Sequence, residues 1–277
     1  MIKALIFSKD RPLQLRTLLE SIAVNAPEVF DITILYKASN SKYEAGYNAL
    51  QKYDKIIPAN WVMEEDFKKQ TLEFLNHTED YTCFFTDDDM IYRPVVEEEI
   101  TSQLKSDPEV FCFSLRLGKN TTYCYMMRCD NVIIPLEEND KYIKWDWSVH
   151  YADFGYPLSV DGHVFRAKDI LKLVSKVSFT NPNNLESSLQ VFDNFPKNKM
   201  VSFKHSVLVN NPINMVQNEY TNNRQGEQHG ISPEELVDKY VLNGEVIDFK
   251  AIDFSNITGC HQELPITYKK HEYATQN

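Results

Sequence analysis

Three consecutive carboxylates, Asp87-Asp88-Asp89, follow a short apolar run, Cys83-Phe84-Phe85-Thr86. That run has the composition of a strand buried on both faces. It would carry the aspartates to its C-terminal end, the side on which open α/β sheets bind ligands. Three adjacent aspartates repel one another and lose hydration when sheltered. A divalent cation removes that cost, because Mg2+ and Mn2+ prefer oxygen ligands and Mg2+ usually takes one or two carboxylates plus substrate phosphates. The triplet therefore points to a metal–diphosphate site, with a solvated acidic turn as the plainer alternative. A phosphatase reading is weaker, since Met90 and Ile91 follow where an Asp-x-Asp-x-Thr arrangement would be needed.

The elements that must position these residues are legible upstream. Ile2 to Phe7 reads as a buried strand, and Ser8-Lys9-Asp10-Arg11-Pro12 as a turn whose proline suits the first position of a helix. Leu15, Leu18, Leu19, Ile22 and Ala23 have the spacing of an amphipathic helix. A second strand spans 32–36, with Lys37 to Asn40 as its polar exit loop. Helices are predicted over 43–53 and 65–76, with a short strand at 54–58. This strand–helix alternation predicts a parallel, right-handed, doubly wound unit. Its strand ends would converge on Ser8–Arg11, Lys37–Asn40 and Asp87–Asp89. Further on, a helix is predicted at 95–105, strands at 110–115, 164–166 and 200–209, and a helix at 169–177. Residues 210–230 read as a mobile loop, and Ser232-Pro233-Glu234-Glu235 as a capping box opening the last helix. The expected organisation is one domain over 1–265, with a nucleotide half (1–94) and an acceptor half (95–265), and a tail over 266–277.

With 277 residues, 43% of them hydrophobic, the chain has enough apolar material for a substantial core. Its net charge of −11 argues against a nucleic-acid surface, which needs clustered Lys and Arg. The five cysteines have no zinc-type spacing and read as reduced, mostly buried thiols. The N-terminus reads as a first strand and not a signal segment, and no run of eighteen apolar residues occurs. A cytoplasmic protein is expected, meeting the inner face of a membrane only through its acceptor.

A Rossmann-like first half, an Asp-x-Asp triplet after an apolar strand, and Asp161-Gly162-His163-Val164-Phe165-Arg166 ahead of an acidic helix start together resemble GT-A fold glycosyltransferases, of the family-2-like kind that build surface polysaccharides. The resemblance implies a GT-A doubly wound mixed sheet in a single domain. It also implies a UDP-, GDP- or dTDP-linked sugar donor, Mn2+ or Mg2+, and a glycan or lipid-linked glycan acceptor. By this resemblance Asp89 ligates the metal, with Asp87 assisting and His205 or His229 as a further ligand. Ser8, Asp10, Arg11, Lys37, Ser39, Lys68, Asp87, Asp88 and Arg166 hold the nucleotide-sugar. Glu186 is the expected catalytic base, with Asp161 and Asp153 as rivals; the family's Glu-Asp pair is here Leu185-Glu186-Ser187. Trp145, Trp147 and Tyr151, with Phe154 nearby, and His163 form the expected acceptor platform, and Arg224-Gln225 weakly resembles a segment closing over the donor. Single displacement with inversion follows if Glu186 is the base.

Two other functions fit parts of this pattern. A sugar-phosphate nucleotidyltransferase shares a similar fold, but carries a glycine-rich loop after its first strand, and Ser-Lys-Asp-Arg-Pro contains no glycine. A non-catalytic glycan-binding module derived from a glycosyltransferase would not need both the intact triplet and a carboxylate at position 186.

Overall fold

A computed structural model describes residues 1–192, 197–216, 224, 226–227 and 230–271. Fifteen strands are present among them: β1 (Ile2–Lys9), β2 (Phe30–Lys37), β3 (Ala59–Met63), β4 (Tyr81–Thr86), β5 (Asp89–Ile91), β6 (Val110–Ser114), β7 (Tyr123–Cys124), β8 (Cys129–Asp130), β9 (Glu137–Glu138), β10 (Tyr142–Asp146), β11 (His163–Arg166), β12 (Lys199–Phe203), β13 (Leu208–Asn210), β14 (Glu245–Ile247) and β15 (Tyr268–Lys270). Seven α-helices accompany them: α1 (Pro12–Asn25), α2 (Ser41–Ala49), α3 (Phe67–Asn76), α4 (Glu97–Ser106), α5 (Ala167–Val174), α6 (Pro182–Leu189) and α7 (Pro233–Val241).

Nine strands form one mixed sheet in the order β3-β2-β1-β4-β11-β6-β12-β10-β9. The first four run parallel, as the strand–helix alternation predicts. β11 then enters antiparallel between β4 and β6, so the sheet is mixed α/β. The period-2 pattern of β1 supplies both faces: Ile2, Ala4 and Ile6 join one apolar cluster with α1, while Leu5 and Phe7 join the other with α3 and α5. Burying such faces against helices is what orders the sheet.

Several boundaries differ from the sequence reading. The strand expected at 54–58 lies at Ala59–Met63, beyond Pro58. The strand expected at 200–209 is two strands, β12 and β13, and β13 pairs instead with β5 behind the aspartate triplet. Residues 210–216 are not a loose loop, because Asn210, Asn211 and Asn214 are buried. Tyr268–Lys270 pairs with β14, and His271 bonds Asp54, so the chain expected as a tail from 266 is built into the fold through 271. The predicted capping box is present at Ser232 and Glu235.

Candidate active site

The C-terminal ends of β1, β2 and β4 open onto a cleft of about 650 Å3, within the usual range for small-molecule sites. Its lining includes Ser8, Lys9, Arg11 and Lys37 from the first two exits, Asp87 and Asp88 from the third, and Arg116, Asp153, Asp161, Glu186 and His261 from the second half of the chain.

Arg11 organises the acidic end. Its Nη1 donates to Asp87 Oδ1 at 3.0 Å and to Asp88 Oδ2 at 2.9 Å. Its other edge donates to Asn214, through Nε to Oδ1 at 2.9 Å and through Nη2 to the carbonyl. Asp87 Oδ2 accepts from Ser8 Oγ at 2.9 Å and from the Lys9 amide at 3.2 Å. Burial nevertheless pushes the Asp87 carboxyl up to about 7, against the pull of Arg11. Asp88 Oδ1 accepts from Asn210 Nδ2 at 2.8 Å.

Asp89, the expected metal ligand, faces the other way. It is the first residue of β5, fully buried, and its carboxylate accepts from the Thr86 amide at 3.0 Å and Asn210 Nδ2 at 3.2 Å. Burial, reinforced by Asp161 and Asp88, holds its carboxyl well above the ordinary range. Of the triplet, only Asp87 and Asp88 line the cleft. His205 is exposed and lies outside the lining, and His229 and Gln225 lie outside the described residues. Among the described residues no group of three His, Cys, Asp or Glu side chains is arranged to hold a metal alone.

At the other end, Asp161 immediately precedes the Gly162 turn into β11. Gly162 has φ +62°, and its amide donates to the Phe84 carbonyl at 2.8 Å, which ties the turn to β4. Because β11 runs antiparallel to β4, its beginning lies beside the end of β4. Asp161 accordingly accepts from Thr86 Oγ1 at 2.9 Å and Arg116 Nη1 at 3.1 Å, with His261 Nε2 at 3.4 Å. Burial alone would raise its carboxyl, but His261 and Arg116 outweigh it and pull Asp161 down to about 2. Asp153 pairs with Arg116 Nη2 at 3.5 Å through one oxygen, and its Oδ2 is buried without a hydrogen bond. Glu186 sits in the second turn of α6, not at its start, and accepts from the Val160 amide at 3.3 Å. Burial first, and then the negative Asp161, raise Glu186 to about 7.

Other expected site residues serve the fold. Asp10, held at φ +57°, accepts from the Ser39 amide at 2.7 Å and Ser39 Oγ at 2.6 Å, so both fasten the β1 and β2 exits to each other. Asx residues tolerate that left-handed backbone. Lys37 lines the cleft and pairs with Glu64 at 2.7 Å. Lys68 lies over the Phe179 ring, outside the cleft. Arg166 donates to the carbonyls of Leu104, Asp107 and Val110, bracing the turn from α4 to β6. The aromatic platform is not assembled: Trp145 is fully buried against Phe154, Trp147 donates to the Lys197 carbonyl, and Tyr151 points to solvent. His163 is fully buried, and desolvation, with Arg116 nearby, lowers it to about 3, so it is neutral and away from the cleft.

The residues that sequence reasoning passed over are Lys9, Glu64, Arg116, Asn210, Asn214 and His261. Lys9 lies inside the Ser8–Arg11 turn, and Asn210 and Asn214 in the asparagine run at 210–214; Glu64, Arg116 and His261 have no motif around them.

No family model matches the chain. Among solved structures, S. aureus TarS (residues 1–349) gives a TM-score of 0.45 at 15% identity, covering 75% of this chain and 59% of that one. 4-Diphosphocytidyl-2C-methyl-D-erythritol synthase from Anaerococcus prevotii gives 0.38 at 14% identity, covering 87% and 96%. The galactosyltransferase LgtC, in complex with donor and acceptor sugar analogs, gives 0.36 at 13% identity, covering 69% and 66%. Likeness at this level carries no argument about function. In sequence, the chain is 27% identical over 255 residues to the bifunctional glycosyltransferase pgtA of Dictyostelium discoideum, a match that takes in 80% of this chain. It spans about one third of that relative's length (33%), and the resemblance to glycosyltransferases read from its own residues agrees with that relative's name.

Proposed function

We propose that this chain is a glycosyltransferase that moves a sugar from a nucleotide-sugar donor to a hydroxyl of a glycan acceptor, with inversion. The observation that carries the reading is one cleft holding, at one end, the Arg11-bridged Asp87–Asp88 pair with Lys9 and, at the other, two carboxylates with opposed protonation, Asp161 and Glu186. Environments that push neighbouring carboxyls apart are how acid–base roles are divided.

Glu186, raised to about 7, is matched to take a proton near neutral pH. As the acceptor oxygen bonds to the anomeric carbon, the bond from that carbon to the diphosphate oxygen breaks, and the hydroxyl proton passes to Glu186. Asp161 stays ionised, fixed by Thr86, Arg116 and His261, and does not compete for that proton. Asp153, with one oxygen on Arg116 and the other buried, serves as a support for Arg116. Arg11 and Lys9 orient the diphosphate.

A divalent cation fits this donor set through Asp88, with Asp87 beside it, in place of Asp89. Six carboxylates line the cleft (Glu64, Asp87, Asp88, Asp153, Asp161 and Glu186), and four of its five Lys and Arg side chains are engaged by carboxylates, so an incoming diphosphate needs further positive charge. One or two carboxylates together with substrate phosphates are the usual holding for Mg2+. When bound, the cation would offset the charge of the departing diphosphate. A surface polysaccharide as the acceptor's setting, and a cytoplasmic location, belong to the same reading; no helix among the described residues is long and apolar enough to cross a membrane.

The test is a thermal-shift screen of UDP, GDP and dTDP and their sugars with Mn2+ or Mg2+, followed by donor hydrolysis. A bound ligand at a hundredfold excess over Kd stabilises by about 2.7 kcal/mol. Absence of any nucleotide binding with either metal refutes the reading.

A further inference from the structure

Two of the five cysteines face each other. β7 and β8 form a two-stranded ladder of their own, with Tyr123 opposite Asp130 and Cys124 opposite Cys129. Directly opposite residues share one face of a ladder, with Cα atoms about 4.5–5.5 Å apart. A disulfide spans about 4.4–6.8 Å between Cα atoms, so this pair is within bridging range. The other three thiols have different neighbours. Cys83 stands opposite Ala4 and Val164, and Cys112 opposite Phe165 and Met200. Cys260 is fully buried, on a segment that meets β7 where the Tyr123 amide donates to the Thr258 carbonyl. Of the five, only Cys129 is partly open to solvent.

The hairpin is a wall of the cleft, which Cys124, Met126 and Met127 line. By itself it is held by little. Two residue pairs make up its ladder, and a two-stranded hairpin alone is marginal in water. Its four-residue turn closes on Arg128 at φ +54°, a left-handed backbone that costs any residue with a Cβ. Beyond the ladder, the Asn131 amide donates to the Thr122 carbonyl at the base. At the turn, Tyr125 Oη donates to Glu263, and Arg224 Nη1 to the Tyr125 carbonyl at 2.7 Å.

We propose that Cys124 and Cys129 are a modification site: a small-molecule disulfide oxidises them to an intramolecular disulfide that pins the hairpin wall of the cleft, and a thiol reverses it. Cys129 is the point of attack, being the one open to solvent. Its thiolate attacks one sulfur of the small disulfide, a mixed disulfide forms, and one thiolate leaves. The Cys124 sulfur gives up its proton and attacks the Cys129 sulfur. The intramolecular bond forms and the second thiolate leaves. The two cysteine protons end on the two departing thiolates, and two electrons pass from the pair to the small disulfide. Burial, with the negative Asp153 beside it, holds the Cys124 thiol up to about 12, so the second step is the slow one. The inference does not rest on the glycosyltransferase reading, because the bond forms without a nucleotide.

The full chain is incubated with oxidised glutathione at mildly alkaline pH, remaining thiols are blocked, and tryptic peptides are mapped without reductant. Trypsin cuts at Lys119, Arg128 and Lys141, and so between the two cysteines. The expected product joins peptide 120–128 to peptide 129–141 in a chain that stays monomeric on a non-reducing gel, and dithiothreitol separates the two. Cys260→Ala should give the same joined pair, and Cys129→Ser none. Under native conditions, trypsin should cut at Arg128 roughly tenfold or more slowly in the oxidised chain than in the reduced one, the scale of closing a ring over residues 124–129. Cys129→Ser should show no such difference. Four results overturn the proposal: a join of 120–128 to the Cys260 peptide 251–269, a mixed disulfide that stops at Cys129, a disulfide-linked dimer, or equal cutting at Arg128 in both forms.

Discussion

If Glu186 takes the acceptor proton, the pH dependence of turnover should belong to it and should move when its neighbour's charge is removed. The rise from the ordinary 4.5 to about 7 corresponds to roughly 3 kcal/mol of preference for the neutral form. Ionised Glu186 is the active form, so the rate should climb with pH through about 7 and level off above it. A single titration gives roughly a tenth of the plateau rate one pH unit below the midpoint. Asp161→Asn removes the second-ranked cause of the rise, the adjacent negative charge, and frees Arg116 to act on Glu186. Asparagine keeps an oxygen for Arg116, and the Thr86 hydroxyl needs only to turn. The midpoint should therefore move to lower pH by about one unit or more, because at an effective dielectric of about 20 two like charges closer than about 12 Å interact by at least ~1.4 kcal/mol. The assay is the pH–rate profile of nucleotide-sugar hydrolysis, with the carboxyl resonance of 13C-labelled Glu186 as a readout independent of turnover. A midpoint that stays put or moves to higher pH in Asp161→Asn refutes the argument, as does an unchanged limb in Glu186→Gln.

Glu186→Gln should lower kcat by about 100-fold or more with donor affinity retained, measured by steady-state kinetics and calorimetry. Asp88→Asn should abolish metal-dependent nucleoside diphosphate binding, whereas Asp89→Asn should leave it intact and cost about 1–3 kcal/mol of stability, by setting an amide donor against Thr86 or Asn210; the reverse pattern in calorimetry and denaturant unfolding would restore Asp89 as the ligand. Arg116→Met should destabilise by about 3–5 kcal/mol in urea unfolding, since it leaves Asp153 and Asp161 without their buried cation. Arg166→Met should cost about 2–3 kcal/mol through three undonated carbonyls and leave nucleotide binding unchanged, which separates it from the site to which its sequence neighbours assigned it.

The parallel half was legible because its signals are local: apolar runs, a proline at a helix start, polar strand exits. Arg11 and the Asp87–Asp88 pair were readable for the same reason. Asp89 was read with the cleft because three identical letters do not say where a turn ends and a strand begins; in the structure it opens β5, opposite Asn210, and is fully buried. Trp145 and Trp147 show a different limit, since an aromatic-rich stretch has the same composition in a core as on a binding face. Arg116, Asn210 and His261 were invisible because they gain their roles only when β6, β13 and the 258–262 segment meet, across separations that no periodicity records.

His163 at the start of β11 pairs directly with Ser114 at the end of β6. The chain therefore leaves the end of β6 at 115 and comes back beside that end at 162. The stretch between, including the β7–β8 hairpin and Asp153, is an excursion with a closed base. Its length is nearly free thermodynamically, because closure entropy grows only with the logarithm of loop length. β10, which pairs with β12 and carries β9 on its other edge, ties it back to the sheet, and backbone bonds from Lys119 to Lys204, from Tyr123 to Thr258 and from Trp147 to Asn198 fasten it further. Its exposed turns can be lengthened or trimmed without moving Arg11, Asp87 or Asp88, whereas Trp145, Phe154 and Leu158 anchor its inner face in the core. Under the proposed function, the acceptor end of the cleft can therefore diversify while the donor end stays fixed.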